Sequence, residues 1–174
     1  MIAGSLLGGL LFLLPPLYGE GYEAVNAIIG GHPEQIMASS LFSSYSENIF
    51  VLLAFVLLLG LMKIVATTLT FQAGGVGGTF GPTLFMGAMY GFFFSRTVNY
   101  FELGDLPEAN FTLVAMAGMM AGNLHAPLTA IFLIAEITGG YELFVPLMIT
   151  ASIAFVTVKQ FTPHSIYTAQ LARR

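Results

Sequence analysis

The chain has 174 residues, of which 56% are hydrophobic and 8% are charged, and its mean hydropathy is +0.84. A soluble globular domain is about one quarter charged, so the composition predicts an integral membrane protein. The net charge is −4, with no run of basic residues, which argues against a nucleic-acid partner. Cysteine is absent and the three histidines are scattered, so we expect no metal site.

The first apolar segment, Met1–Leu14, is stopped by Pro15-Pro16. It is shorter than the roughly 20 helical residues that cross a bilayer, and it lacks the basic start of a signal peptide. We therefore expect it to lie within protein, or to be the end of a longer helix. Residues Tyr22–Ile29 predict a short helix, in a more polar region that we expect to reach water or lipid headgroups.

Residues Ile49–Leu69 form the best candidate for a membrane span, and the segment carries one charge, Lys63. A charged residue inside a span usually has a function. The alternative, which we favour, is that the long lysine stem lets the ammonium group reach the membrane surface. Three threonines follow the lysine, and we expect their hydroxyls to bond carbonyls of their own helix.

A glycine-rich loop, residues 74–78, follows this span and leads into Gly81-Pro82 and another apolar segment. Glycine allows close backbone approach, and proline favours the first turn of a helix. We therefore predict a helix that opens at about Gly81–Thr83, whose free N–H groups would suit an anion. A glycine hinge between packed helices explains the loop equally well. The loop lacks the lysine of a nucleotide-binding P-loop, and Phe80 breaks the GxGxxG pattern.

The later apolar segments are short and interrupted. The predicted helices lie at four places: Leu84–Phe94, Phe111–Gly122, Leu128–Thr138 and Leu143–Val158. Arg96 is expected to close the first of them, and Gly118-x-x-x-Gly122 in the second predicts close contact with another helix. Broken helices persist in membranes only where protein or a cavity covers their ends, and transporters often aim such ends at an ion. This pattern favours the anion site over the hinge. No nucleophile and base form a recognisable pair, so we expect neither enzymatic activity nor a cofactor.

Three motifs occur in the order found in CLC chloride channels and chloride/proton antiporters. Residues 78–82 fit the GxFxP motif of that family. Residues 126–129, followed by residues 136–138, resemble its late pair of helices, and Tyr167 resembles its pore tyrosine. The resemblance covers nearly the whole chain. It implies an all-α, multi-pass membrane protein with short broken and re-entrant helices, and a function in moving chloride.

The resemblance also implies particular roles for residues. Chloride would be contacted by the backbone amides of Thr79 and Phe80 and by the hydroxyl of Tyr167. The surrounding selectivity loop would contain Gly78, Gly81 and Pro82. Family members often carry an aliphatic residue where Thr79 stands, so its hydroxyl could alter anion preference. Chloride would be the transported ligand, with no catalytic residue, metal or cofactor.

The resemblance identifies residues 1–174 with the C-terminal half of an inverted-repeat transmembrane domain. The serine loop and the glutamate loop of the other half are not found in this sequence, so we expect that half to be missing. The implied protein is a homodimer in the cell membrane, joined through Leu128–Thr138 and Leu143–Phe155, with Arg173-Arg174 in the cytoplasm. The sequence does not decide between a channel and an antiporter. The alternative function is that of a truncated, non-transporting fragment that acts only as a membrane scaffold.

Two further polar residues lie at predicted helix breaks. Glu136 could carry protons, but we expect its carboxylate to be held by neighbouring backbone or hydroxyl groups. His125 precedes Ala-Pro at an interruption, and we expect it to cap a helix at the membrane interface rather than relay protons.

Overall fold

A computed structural model of the protein describes residues 2–40, 42–43, 48–139 and 141–168, and these are helical with no strand. They form eight α-helices and one 3-10 turn, Pro15–Leu17. The helices are α1 (Ile2–Leu13), α2 (Tyr22–Ile29), α3 (Gln35–Ala38), α4 (Ile49–Gln72), α5 (Phe80–Tyr100), α6 (Glu108–Leu124), α7 (Pro127–Ile137) and α8 (Phe144–Phe161). The all-α prediction is confirmed.

Within the described ranges, α4 and α8 are the two helices long and apolar enough to cross a membrane. The first is the predicted span, extended to 24 residues, and the second has 18 residues. Asn48 starts α4 by accepting a hydrogen bond from the Phe50 amide at 3.0 Å. As expected, the threonine hydroxyls near the end of α4 donate to carbonyls four residues earlier.

Helix α5 is longer than the sequence predicted, because it continues beyond Arg96 to Tyr100. The prediction treated Arg96 as the end of the apolar segment. In the structure its guanidinium donates to Glu108 at 3.0 Å, so the charge is paired within the α5–α6 hairpin. Asn99 closes the same hairpin by bonding both the carbonyl and the amide of Leu106, at 2.8 and 2.7 Å.

Small residues let the central helices pack closely. A Cβ added at Gly87 of α5 would lie 2.6 Å from the Met116 Cα of α6, which real side chains do not tolerate. On another face of α6, a Cβ at Gly118 would lie 2.9 Å from the Thr150 side chain of α8. Gly122 also approaches α8, so the close contact predicted from Gly118-x-x-x-Gly122 is confirmed.

Lys63 is buried inside the protein, with 1% of its surface exposed, so the prediction that it reaches the membrane surface is wrong. Its Nζ donates to the carbonyls of Leu17 and Gly19, at 3.2 and 2.9 Å, and lies 4.6 Å from the centre of the Phe85 ring. These carbonyls belong to the irregular segment at the end of the 3-10 turn. The lysine therefore supplies hydrogen bonds where the backbone cannot pair with itself.

Lys63→Met should destabilise the folded protein, because it leaves the Leu17 and Gly19 carbonyls without their donor. Each buried polar group left unsatisfied costs roughly 1–3 kcal/mol. Thermal unfolding of the purified full-length protein in detergent measures the effect. The matched control is Lys159→Met, since that exposed lysine lies 5.2 Å from the Phe155 ring and no carbonyl bond involves it within the described residues. Equal unfolding temperatures for the two variants would contradict the assignment.

Candidate anion-binding site

The glycine loop connects the end of α4 to the start of α5. Gly74 has a φ of +87°, in the left-handed region that glycine adopts without strain, and it turns the chain as α4 ends. Residues 75–78 are irregular, and Thr79 is the N-cap of α5. The helix thus begins at Phe80, one residue before the predicted opening, and Pro82 lies in its first turn as expected.

The first turn of α5 carries free amide groups. The Thr79 side chain makes no capping bond. The amides of Thr79, Phe80 and Gly81 donate to no carbonyl outside the helix in the part of the chain described, whereas the Thr83 amide bonds the Thr79 carbonyl at 3.1 Å. Free N–H groups and the positive end of the helix dipole make this turn suited to an anion.

Tyr167 lies directly beside this turn. Its hydroxyl accepts a hydrogen bond from Thr79 Oγ1 at 3.1 Å, across a separation of 88 positions. Since the amide nitrogen and Oγ1 of one threonine are under about 4 Å apart, the hydroxyl lies within about 7 Å of the Thr79 amide. The structure therefore brings Thr79 and Tyr167 together, as the resemblance implied. Their role in binding chloride stays a prediction.

Glu20 is a neighbour of the site that the sequence did not single out, since we expected it only to reach water or headgroups. Its side chain is exposed, yet its Cγ and Cδ would lie 3.1 Å from a Cβ at Gly81. Gly81 therefore leaves room for a carboxylate beside the first turn of α5. A hydrogen bond from Tyr22 to this carboxylate, with partial burial and the carboxylate's charge, raises the pKa of Tyr22.

A cavity of about 340 Å³ lies against the glycine loop. Lys63, Glu20, Gly78 and Pro82 contribute to its lining. Lys63 and Glu20 attract each other electrostatically, so a positive and a negative charge offset one another near the loop. The amides of α5 and the Tyr167 hydroxyl are neutral dipoles, and the Lys63–Glu20 pair adds no net positive charge beside them.

Of the expectations for the two polar residues at helix breaks, the structure agrees with the one for His125 and disagrees with the one for Glu136. His125 is the C-cap of α6 with a φ of +55°, so its expected capping position is confirmed, and its ring meets the Phe155 ring edge-on at 5.7 Å. Glu136 is exposed near the end of α7. Across the described ranges its carboxylate has no hydrogen-bond partner, so the expectation that neighbours hold it is not met.

The fold defines an all-α membrane protein, and the free helix start beside a tyrosine hydroxyl is chemically suited to an anion. A sequence model of the family described as voltage gated chloride channel matches residues 1–159. The chain belongs to this voltage-gated chloride channel family, the CLC family that its motifs resemble.

Relatives of the chain include channels and exchangers by name. It is 30% identical over 173 residues to a putative chloride channel protein ClcB-like of Ralstonia nicotianae, covering 99% of this chain and 36% of that protein. It is 31% identical over 178 residues to the H(+)/Cl(-) exchange transporter ClcA of Vibrio parahaemolyticus, covering 99% of this chain and 34% of that protein. The chain thus spans about a third of the length of these relatives.

Tyr167→Phe should weaken chloride binding by about 1–3 kcal/mol, because it removes one hydrogen-bond donor from a bound anion. Isothermal titration of the purified full-length protein with chloride measures the change. Tyr141→Phe is the matched control, since Tyr141 is 64% exposed and packs only edge-on against Phe144 among the ring contacts described. Unchanged affinity in Tyr167→Phe would contradict a role for the Tyr167 hydroxyl in binding chloride.

Proposed function

We propose that this chain is part of a protein that moves chloride across a membrane, either as a channel or as a chloride/proton antiporter. The observation that carries the proposal is the Thr79–Tyr167 hydrogen bond beside free amides at the start of α5, within a chain of the CLC family. By the family resemblance, these are the groups expected to contact chloride. Chloride would be the transported ligand, with no chemical reaction and no cofactor.

The donors at this turn have the right chemistry for transport. Conduction requires an anion to be held firmly enough to enter and weakly enough to leave. Neutral N–H and O–H dipoles meet that need, whereas an unpaired cation would trap the ion. Residues 74–94 contain no lysine or arginine. The nearby Lys63 ammonium is bonded to the carbonyls of Leu17 and Gly19.

The proposed partners are the lipid bilayer, an N-terminal half of the transmembrane domain and a second copy of the chain. Helix α1 has no fully buried residue and packs against the core only in part, through Leu10 and Leu11, which leaves most of its surface available for packing against protein or lipid. Helices α7 and α8 expose apolar side chains that are not needed for packing within the chain. These include Leu128, Phe132, Val145, Ile149 and Ile153. The proposed dimer uses this surface, within Leu128–Thr138 and Leu143–Phe155.

The proposed orientation places the C-terminus in the cytoplasm of a cell whose membrane the protein crosses several times. It depends on Arg173-Arg174, which lie outside the described residues, and on the bias of basic residues toward cytoplasmic loops. A C-terminal tag accessible only from the cytoplasm is the expected result, and a tag accessible from the periplasm or cell exterior would overturn it.

The full-length protein in liposomes should release chloride when a gradient is imposed, and the 174-residue chain alone should release none. Without further protein, the short helices would expose unpaired backbone ends to lipid, which costs several kcal/mol for each group. A chloride electrode records the efflux, with protein-free liposomes as the control. Robust efflux from the chain alone would contradict this expectation, and no efflux from the full-length protein would favour a membrane scaffold.

Proton movement in the same liposomes separates the two transport modes. An antiporter would drive protons in the direction opposite to chloride, so a pH electrode would record their uphill movement. A channel would conduct chloride without that coupled proton movement.

A further inference from the structure

The Thr79 hydroxyl has an unusual use for a threonine at the start of a helix. An N-cap threonine normally accepts a hydrogen bond from an amide in the first turn. Here no capping bond forms, and Oγ1 instead donates to the Tyr167 hydroxyl at 3.1 Å. Stabilising the start of α5 therefore does not account for this hydroxyl.

The direction of the hydrogen bond from Thr79 to Tyr167 determines which groups on the phenol remain free. A tyrosine hydroxyl has one proton to donate and two lone pairs that accept. Because Thr79 donates into a lone pair of Tyr167, the phenolic proton remains available for a different acceptor. No protein group takes that proton within the described ranges. A donor that bonds to the phenol oxygen also polarises it, which strengthens the bond that the phenol itself donates.

Little else holds Tyr167 against the glycine loop. Its surface is 58% exposed, so packing constrains the ring only weakly. The segment at residues 162–168 is stabilised by its own turn, in which the Thr168 amide bonds the Ser165 carbonyl at 3.1 Å. Among the described hydrogen bonds, the contact with Thr79 is the one that ties this segment to the start of α5.

We propose that the Thr79 side chain is a positioning residue for the anion site: its hydroxyl fixes the Tyr167 hydroxyl and directs the phenolic proton toward the bound anion. The inference rests on the proposed chloride site and assigns to Thr79 a role beyond its backbone amide. A bound chloride then receives N–H groups from the start of α5 and an oriented O–H from Tyr167. The Thr79 hydroxyl keeps its proton and continues to donate it to the Tyr167 oxygen.

A double-mutant cycle tests the inference in the purified full-length protein, with chloride affinity measured by isothermal titration. Thr79→Val keeps the β-branched shape and removes the hydroxyl, whereas Thr79→Ser keeps the hydroxyl. Each is made in the native background and in Tyr167→Phe. We expect Thr79→Val to weaken chloride binding about threefold to tenfold, because one hydrogen bond that orders the donor is lost. Thr79→Ser should stay within about twofold of the native affinity.

The decisive comparison is made in the Tyr167→Phe background, where no phenolic proton remains to be directed. There Thr79→Val should have almost no further effect. The inference would be overturned if Thr79→Val bound chloride as tightly as the native protein. It would also be overturned if Thr79→Val weakened chloride binding as much in the Tyr167→Phe background as in the native one. A loss in Thr79→Ser as large as in Thr79→Val would also overturn it, since the shape of the side chain would then be the cause.

Failure of the proposed function gives a different result from failure of this inference. If the native protein neither binds nor moves chloride, the proposed function is wrong and the inference falls with it. If the native protein does both and Thr79→Val binds chloride equally well, only the inference is wrong. Thermal unfolding of each variant checks that its affinity is measured on folded protein.

Discussion

The unpaired amide groups at the start of α5 are the constraint on which the arrangement of this protein depends. The hydrocarbon of a bilayer offers no water to satisfy such groups, so a helix can begin inside it only where protein, an ion or a water-filled cavity provides partners. The glycine loop gives access to these amides, Thr79 leaves them uncapped, and the Tyr167 hydroxyl, from the far end of the chain, bonds the Thr79 side chain beside them. Each of these features would be a defect in an ordinary span, and together they form a polar site among apolar helices.

Two charged residues provide partners at other interruptions between helices. Lys63 bonds carbonyls at the end of the 3-10 turn, and Arg96 pairs with Glu108 across the α5–α6 hairpin. Lys63 also offsets the charge of Glu20, which lies against Gly81. These charges bond irregular backbone or each other across a hairpin, and the first turn of α5 carries neutral donors.

Local signals in the sequence predicted much of this fold. Residues Tyr22–Ile29 form the short helix that was expected, the long apolar segment forms α4, and the Gly118–Gly122 spacing brings α6 against α8. One error occurred where a distant partner decides the outcome. The Leu17 and Gly19 carbonyls lie 46 and 44 positions from Lys63, so the local sequence could not indicate them, and the lysine was expected at the membrane surface. The proximity of Thr79 and Tyr167 followed from family resemblance, because no periodicity links positions 88 apart.

That separation has a consequence for how the protein is made. At synthesis rates of about 5–20 residues per second, roughly 4–18 s pass between the emergence of Thr79 and that of Tyr167. During this interval the start of α5 lacks the Tyr167 hydroxyl that will bond Thr79, while α6, α7 and α8 are still being added. The nascent chain must therefore keep a polar helix end shielded, by the insertion machinery or by water, until its last segment arrives.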